Sequence, residues 1–374
     1  MHRNKYLSVF CRLLPVCCSL LLSACDSMYV DVAPADFPPK LAVTATIDTD
    51  GRFFLSFTEA RSIGSYQNWR YEEETIIRKG VVSLYDETDG SIVCTIDSSA
   101  NSGFDMSLHS GRSGYATVVN GLQFAAGHAY RLTLDIDGYP VATATAVMPA
   151  PPLIEKAEAD MQQTLYRSSA YRIDPSDPHT VSVSSISCHP LTLHLTDNSP
   201  ERDYYMISLQ NEYRYPDGTT RASQPYIAIS DRAVIQDNPD IEAAQLYMDS
   251  EADAFIFDRM LLSDMSFANA AGILQLLIAS DEFEERDGKY PAPSCPEDER
   301  IRVTTDICVA HLSNESHAYY RSLSLQKAGM GFFTEPVPII SNVENGYGCF
   351  SAIHSVRKTI VRYEICFDAI YGSR

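Results

Sequence analysis

Apolar and polar residues alternate over many short segments of this chain, and a period of two is typical of half-buried strands. Two clear examples are residues 41–47 and 81–85. The first is followed by Asp48-Thr49-Asp50-Gly51 and the second by Asp86-Glu87-Thr88-Asp89-Gly90. Because Asp-Gly pairs supply the positive-φ position of hairpin turns, the pattern predicts antiparallel strand pairs in this part of the chain.

A more specific signal occurs at Gly127-His128-Ala129-Tyr130, which leads into another alternating segment. This arrangement resembles the tyrosine corner of Greek-key sandwiches, where the phenol bonds to the backbone upstream. We therefore assign Tyr130 to architecture and predict an immunoglobulin-like β-sandwich over residues 40–150. Pro149-Ala150-Pro151-Pro152 then marks the expected domain boundary.

Residues 153–374 are predicted to form a larger, antiparallel β-rich domain that carries one short helix. The helix has Ser313 or Asn314 as its N-cap, Glu315 in its first turn and Gly329 at its end. Further along, residues 344–348 predict a tight turn. The fold class is therefore all-β. The strand candidates of this region are residues 191–195, 204–209, 226–229, 273–279, 301–310 and 359–370.

The start of the chain has the three parts of an export signal over residues 1–24. Basic residues precede an apolar run, residues 13–22, that is shorter than the roughly 20 residues a membrane-spanning helix needs. Leu22-Ser23-Ala24-Cys25 resembles the bacterial lipobox, so we expect acylation of Cys25 and attachment of the mature chain to a membrane through lipid. Residues 25–39 would form a lipidated linker. The alternative is a plain secretory signal with a coincidental cysteine.

Charge and cysteine content narrow the class of protein. The formal net charge is −20, which repels nucleic acid and argues against a nucleic-acid partner. Apart from Cys25 and the cysteines of the signal, six remain, and none forms a CxxC pair. We therefore expect no zinc or redox motif, several free thiols and at most one or two disulfides.

The sequence gives only weak signals for metal binding or catalysis. His189 and His194 lie five residues apart on a predicted strand, so they face opposite sides and make a poor metal site. The Asp48-x-Asp50-Gly51 segment resembles the opening of a calcium loop but lacks the later ligands. Nucleophile and phosphate-loop motifs are missing from the sequence. We predict no enzyme activity, no metal and no cofactor.

One loop-like segment, residues 61–71, concentrates aromatic residues and holds the single tryptophan of the chain. Tyr66, Trp69 and Tyr71 are our candidates for contact with a ligand, such as a glycan or a peptide, or with a protein partner. The alternative is that Trp69 packs against the edge of the sandwich.

Several blocks together resemble the family known as domain of unknown function 4249. They are Lys40 to Ile47, Gly127 to Tyr130, Asp197 to Tyr205, and Ser316 to Phe350. Within the last block Glu335, Asn342 and Gly346 match the family pattern, whereas Tyr347 and Cys349 replace smaller or aliphatic residues. The resemblance carries over no catalytic residues.

The resemblance implies a cell-surface lipoprotein of the outer membrane, associated with a TonB-dependent transporter in nutrient uptake. We therefore expect a binding or accessory protein. The alternatives are a structural or adhesive surface lipoprotein and an unrecognised hydrolase.

Overall fold

The alternating segments of the sequence form strands in the computed structural model. It describes residues 39–60, 77–98, 103–105, 108–109, 112–172, 181–197, 199, 201–229, 255–257, 259–264, 267, 270–279, 296–329 and 338–366. Every element below belongs to one compact unit, Lys40–Ala60 and Glu73–Arg374. The fold is all-β with sandwich packing, as the sequence predicts, and one α-helix is present among the described residues.

The strands of the first half are short, and most are joined by tight turns. They are β1 (Lys40–Asp48), β2 (Phe53–Ala60), β3 (Ile77–Arg78), β4 (Gly80–Asp86), β5 (Ser91–Asp97), β6 (Phe104–Asp105), β7 (Leu108–His109), β8 (Arg112–Ser113), β9 (Tyr115–Val119), β10 (Ala129–Ile136) and β11 (Ala142–Val147).

The second half contains longer strands and the helix, and a single 3-10 turn, Glu297–Glu299, precedes β21. Its elements are β12 (Leu153–Ala159), β13 (Leu165–Arg172), β14 (Val181–Thr196), β15 (Tyr204–Arg214), β16 (Thr220–Ser223), β17 (Tyr226–Ile229), β18 (Phe255–Phe257), β19 (Met260–Ser263), β20 (Ala271–Ala279), β21 (Arg300–Leu312), α1 (Asn314–Gly329) and β22 (Gly346–Cys366).

One large sheet contains strands from both halves of the chain. Its order is β16-β15-β21-β22-β1-β2-β9, and β19 also pairs with β15. The strand β22 pairs in parallel with β1 and antiparallel with β21. A second sheet has the order β11-β10-β4-β5, and a third has the order β12-β14-β20-β17-β18, with β13 paired to β14.

The first hydrophobic core lies between one end of the large sheet and the second sheet. Inward residues of β1, β2, β4, β10 and β11 are buried there, among them Val43 of β1 and Leu55 of β2. Residues near the end of the chain complete this core, because Val343, Phe350 and Ala352 pack into it as well. The first core is therefore built from two parts of the chain that are distant in sequence.

The second core lies between the other end of the large sheet and the third sheet. Inward residues of β15 and β21 pack there against inward residues of β14, β17 and β20. The division into domains at residues 150–153 stays a prediction. The two cores lie on either side of that boundary in sequence, except that the segment 343–352 belongs to the first core.

The helix α1 begins and ends where the sequence predicts. Ser313 is its N-cap, since its Oγ accepts a hydrogen bond from the Ser316 amide at 3.3 Å. The helix covers the outer face of the large sheet, where Ala310, Leu312 and Ile353 are buried. Among the described residues, no helix is both long and apolar enough to cross a membrane.

The tyrosine corner is confirmed. The Tyr130 hydroxyl accepts a hydrogen bond from the Ala125 amide at 2.8 Å, and its ring is buried in the first core. The tight turn expected near Asn345 is also present, because Asn345 has a φ of 57°. The strand β22 then begins at Gly346, so Gly346 and Gly348 lie in a strand instead of in the turn.

Gly348 provides the first testable prediction. It pairs with Val43 across the parallel contact, has a φ of 104°, and a Cβ there would lie 1.9 Å from the Val43 carbonyl oxygen. We expect Gly348→Ala to lower the free energy of unfolding by roughly 2–4 kcal/mol, through backbone strain and displacement of β1. Urea unfolding would measure the change.

Gly90→Ala is the matched control. Gly90 also has a positive φ, 69°, but nothing lies within 4 Å of the added Cβ, so its cost should stay at about 1 kcal/mol. Equal losses in the two variants would show that the close approach of β1 and β22 is not a constraint on the fold.

Candidate functional site

Three aspartates meet at one end of the second core, and each lies next to the end of a strand. Asp197 follows β14, Asp203 precedes β15, and Asp264 follows β19. The backbone holds two of these segments together, because the Asp264 amide donates a hydrogen bond to the Asp203 carbonyl at 3.1 Å. We call these three residues the carboxylate cluster.

The carboxylate cluster is almost closed to solvent. Asp264 is 1% exposed and Asp197 is 2% exposed. Asp203 reaches the surface slightly more, and its side chain lies close enough to Asp197 for the two carboxyl groups to interact. Neighbouring carboxyl groups disfavour each other's ionised form, because like charges repel.

Burial raises the pKa of two members of the cluster. For Asp203, burial is the largest cause of the raised pKa; His311 opposes it, and the negative charges of Asp197 and Asp264 add to it. For Asp264, burial is again the largest cause of the raised pKa, and a hydrogen bond with the Asp203 backbone opposes it. Burial and the neighbouring carboxylates also raise the pKa of Tyr205.

His311 connects the cluster to the segment between the two cores. Its Nδ1 lies 2.8 Å from the Ala150 carbonyl oxygen, and its Nε2 lies 3.4 Å from Asp203 Oδ1. Since a carbonyl only accepts, Nδ1 carries a hydrogen, and the neutral ring directs the lone pair of Nε2 toward Asp203. A proton on either Nε2 or Asp203 makes this contact favourable.

His354 repeats the arrangement on the neighbouring strand. It is the register partner of His311, and its Nδ1 lies 3.0 Å from the Pro149 carbonyl oxygen. Two histidines of the large sheet therefore bind consecutive carbonyl groups of the joining segment. The position of that segment thus depends on side chains that the sequence places 161 and 205 residues away.

Two buried polar atoms in this region have no hydrogen-bond partner. They are Asp264 Oδ2 and Ser263 Oγ, in consecutive residues. Buried polar groups are normally paired, so an orphaned carboxylate oxygen needs an explanation. The closed surroundings suit a proton or a small ion better than an organic substrate.

A second group of ligand-type side chains lies in the first sandwich. Asp86, Asp89 and His128 bring their ligand atoms within 4.8 Å of one another. His128 Nδ1 lies 2.8 Å from Asp86 Oδ2, and Asp86 Oδ1 accepts hydrogen bonds from the Thr88 and Asp89 amides. These bonds cap the turn between β4 and β5 and connect it to the start of β10.

The residues that the sequence analysis singled out as candidates do not belong to the carboxylate cluster. Cys25, Tyr66, Trp69 and Tyr71 lie outside the described residues, so their predicted roles stay predictions. His189 is buried and its Nδ1 lies 3.1 Å from the Gln163 carbonyl oxygen, which favours the structural interpretation over a metal ligand.

The turn after β1 can be compared with the calcium-loop interpretation of its sequence. Arg52 binds Asp48 at 3.0 Å and Asp50 at 2.8 Å, so these carboxylates brace a turn. The expectation of several free thiols can be checked as well. Cys94 of β5 and Cys308 of β21 are free thiols.

Sequence reasoning missed the carboxylate cluster. Asp197 and Asp203 stand within a block that supported the family resemblance, but the block gave no indication of Asp264 or His311 as neighbours. Only the pairing of β15 with both β19 and β21 brings these residues together.

The comparison with protein families identifies the chain. Residues 27–359 match the family described as Domain of unknown function (DUF4249). The chain therefore belongs to this family. No curated protein matches the chain.

The pair of Asp86 and His128 generates a prediction about pH. The hydrogen bond to Asp86 is the main cause that raises the pKa of His128 above 6.5. Burial alone would raise the pKa of Asp86, but hydrogen bonds from His128 and from the turn amides hold this pKa below 3.8.

The directions of the two pKa shifts define the pH range in which this pair stabilises the fold. The raised pKa of His128 stabilises the fold fully below pH 6.5, and this contribution is lost as pH rises through the folded-state pKa. The lowered pKa of Asp86 contributes above pH 3.8 and is lost as pH falls through its folded-state value. We expect His128→Ala to be most destabilising between these limits, measured by urea unfolding across pH.

Asp86→Asn supplies the control background. There, the effect of His128→Ala should vary much less with pH, because the main partner charge is gone and only the longer contact with Asp89, at 4.0 Å, remains. A pH-dependent difference as large as that in the unaltered chain would contradict the assignment.

Proposed function

We propose that the protein is a lipid-anchored binding or accessory protein of the outer membrane, working with a TonB-dependent transporter in nutrient uptake. The observation that carries the proposal is Leu22-Ser23-Ala24-Cys25 at the end of an export-type signal. Acyl chains on Cys25 would hold the protein at the membrane, since two or more chains give durable anchoring.

The position of β1 supports a tethered protein. This strand follows residues 25–39 and pairs with β2 on one side and β22 on the other. A pull on the linker would therefore load hydrogen bonds along both edges of a strand in the largest sheet. Such an attachment resists force better than attachment to an edge strand.

The pairing of β1 on both edges argues against the alternative of a structural or adhesive protein that polymerises. Polymerisation by strand donation needs a strand that can leave one subunit and pair with another. Because β1 is paired on both edges and its inward side chains are buried, it is poorly suited to donation.

The hydrolase alternative has one observation in its favour, the contact of Asp203 with His311. However, the two neighbouring carboxylates are almost fully buried, and a substrate must reach the groups that act on it. The binding or accessory function is therefore preferred.

Cys25→Ala tests the anchor. We expect the variant to leave the detergent-extractable membrane fraction, because no acyl chain can be attached. Fractionation followed by immunoblotting measures the change. Cys94→Ala is the control, since Cys94 is a free thiol within a strand and should not affect anchoring. A Cys25→Ala protein that remains membrane-bound after a high-salt wash would refute the proposal.

Trp69→Ala tests the partner contact. Affinity purification of the anchored protein from detergent should recover a TonB-dependent transporter, and the variant should bind it about tenfold more weakly if Trp69 is an anchor residue. Tyr226→Ala is the control, since it removes an aromatic side chain that is exposed in the described part of the chain, and it should retain the partner. Recovery of no envelope protein by the unaltered chain would count against the accessory function.

A further inference from the structure

Asp86, Asp89 and His128 form the one group of ligand-type side chains in the described part of the chain whose ligand atoms all lie within 4.8 Å of one another. Asp86 Oδ2 lies 2.8 Å from His128 Nδ1, and Asp89 Oδ2 lies 4.0 Å from the same nitrogen. The group joins the turn between β4 and β5 to the start of β10, since His128 follows Asp86 by 42 residues. Two carboxylates and an imidazole are therefore close enough to share one ligand.

The turn fixes the direction of the Asp86 carboxylate. Asp86 is 5% exposed, and its Oδ1 accepts hydrogen bonds from the Thr88 and Asp89 amides at 3.0 and 3.1 Å. These two bonds engage one oxygen and leave the other, Oδ2, directed at His128. Metal-binding carboxylates and histidines are typically oriented by such additional hydrogen bonds. Asp86 is thus a buried, oriented carboxylate of the kind that a metal site requires.

Backbone hydrogen bonds hold His128 beside this turn. The His128 carbonyl accepts a hydrogen bond from the Met148 amide at 3.0 Å. The Ala129 amide donates to Thr88 Oγ1 at 3.0 Å, and the Ala129 carbonyl accepts from the Glu87 amide at 2.8 Å. The imidazole is therefore positioned before any ligand binds, so that little conformational entropy is lost on binding.

The donor atoms select the class of ion. An imidazole nitrogen suits zinc and similar divalent transition metals, whereas calcium and magnesium prefer sites made of oxygen atoms. Zinc binds nitrogen and oxygen ligands at about 2.0–2.2 Å, which places two ligands of a tetrahedron about 3.3–3.6 Å apart. The observed separations of 2.8 and 4.0 Å lie on either side of this range. The Asp89 side chain is 62% exposed, so it is free to make the small movement required.

We propose that Asp86 Oδ2, Asp89 Oδ2 and His128 Nδ1 bind a divalent transition-metal ion of the zinc class. Binding displaces the Nδ1 hydrogen of the protonated ring to solvent, and the neutral ring that holds the ion keeps its hydrogen on Nε2. Three protein ligands leave at least one coordination position open, and the exposure of Asp89 places that position toward water. Such a site suits an exchangeable ion, unlike the closed four-ligand sites that stabilise folds. The site is independent of the lipid anchor.

The full chain, purified in detergent without a polyhistidine tag and stripped of metal with EDTA, is titrated with zinc chloride by calorimetry. We expect saturable binding of one ion per chain at this site. Because the ion binds the folded chain, the midpoint of thermal unfolding should be higher in zinc than in EDTA. Calcium chloride should bind at least about tenfold more weakly, because calcium disfavours an imidazole ligand.

Asp89→Asn and Glu87→Gln separate ligation from charge. Both remove one negative charge from the same turn, but Glu87 pairs with Arg131 at 2.6 Å and is not one of the ligands. Asp89→Asn should fold, because the Asp89 side chain is exposed and its amide, which caps Asp86, is retained. We expect Asp89→Asn to weaken zinc binding at least about tenfold and Glu87→Gln to leave it unchanged.

Three results would overturn the proposal. They are the absence of saturable zinc binding by the unaltered chain, unchanged binding in Asp89→Asn, and equal weakening in Asp89→Asn and Glu87→Gln. The first would mean that Asp86 and His128 form an ion pair only, and the last that zinc responds to the charge of the turn instead of to a ligand.

Discussion

The fold depends on one strand that two sandwiches share. The start of β22 pairs in parallel with β1, and the rest pairs antiparallel with β21. Phe350 and Ala352 from the start of β22 are buried in the first core, and Ile360 further along packs against the second. The parallel contact needs a glycine at position 348, because any side chain there would meet the Val43 carbonyl. A single residue type thus permits the contact that joins the two cores.

The segment before β22 stabilises this arrangement, because it forms strand-like hydrogen bonds with its neighbours. Asn342 forms two hydrogen bonds of 2.9 Å with the Phe350 backbone, and Glu344 exchanges backbone hydrogen bonds with Thr143. Val343 then enters the first core. Since Glu344 follows Thr143 by 201 positions, the first core is completed only after most of the chain is available. Such non-local contacts are typical of slowly folding β proteins.

The sequence predicts local features well and long-range ones poorly, for a physical reason. Alternation identifies strands such as β4 and β17, and local hydrogen bonding explains the cap at Ser313 and the corner at Tyr130. The parallel pairing of β1 with β22 has no such local signal, because strand order is decided by the packing of whole sheets. The carboxylate cluster and its contact with His311 escaped prediction for the same reason, since Asp203, Asp264 and His311 meet only when β15 pairs with both β19 and β21.

The cluster links electrostatics to the geometry of the joining segment. His311 lies between the Ala150 carbonyl and the Asp203 carboxyl, so its ring connects the cluster directly to the backbone of the joining segment. Asp264, ionised and unpaired, would repel both neighbouring carboxylates and loosen that contact. Whatever neutralises Asp264 therefore also stabilises the segment that sets one core beside the other. Buried carboxylates lower the stability of a fold. Their presence here is understandable if the position of the joining segment matters more than the stability that is lost.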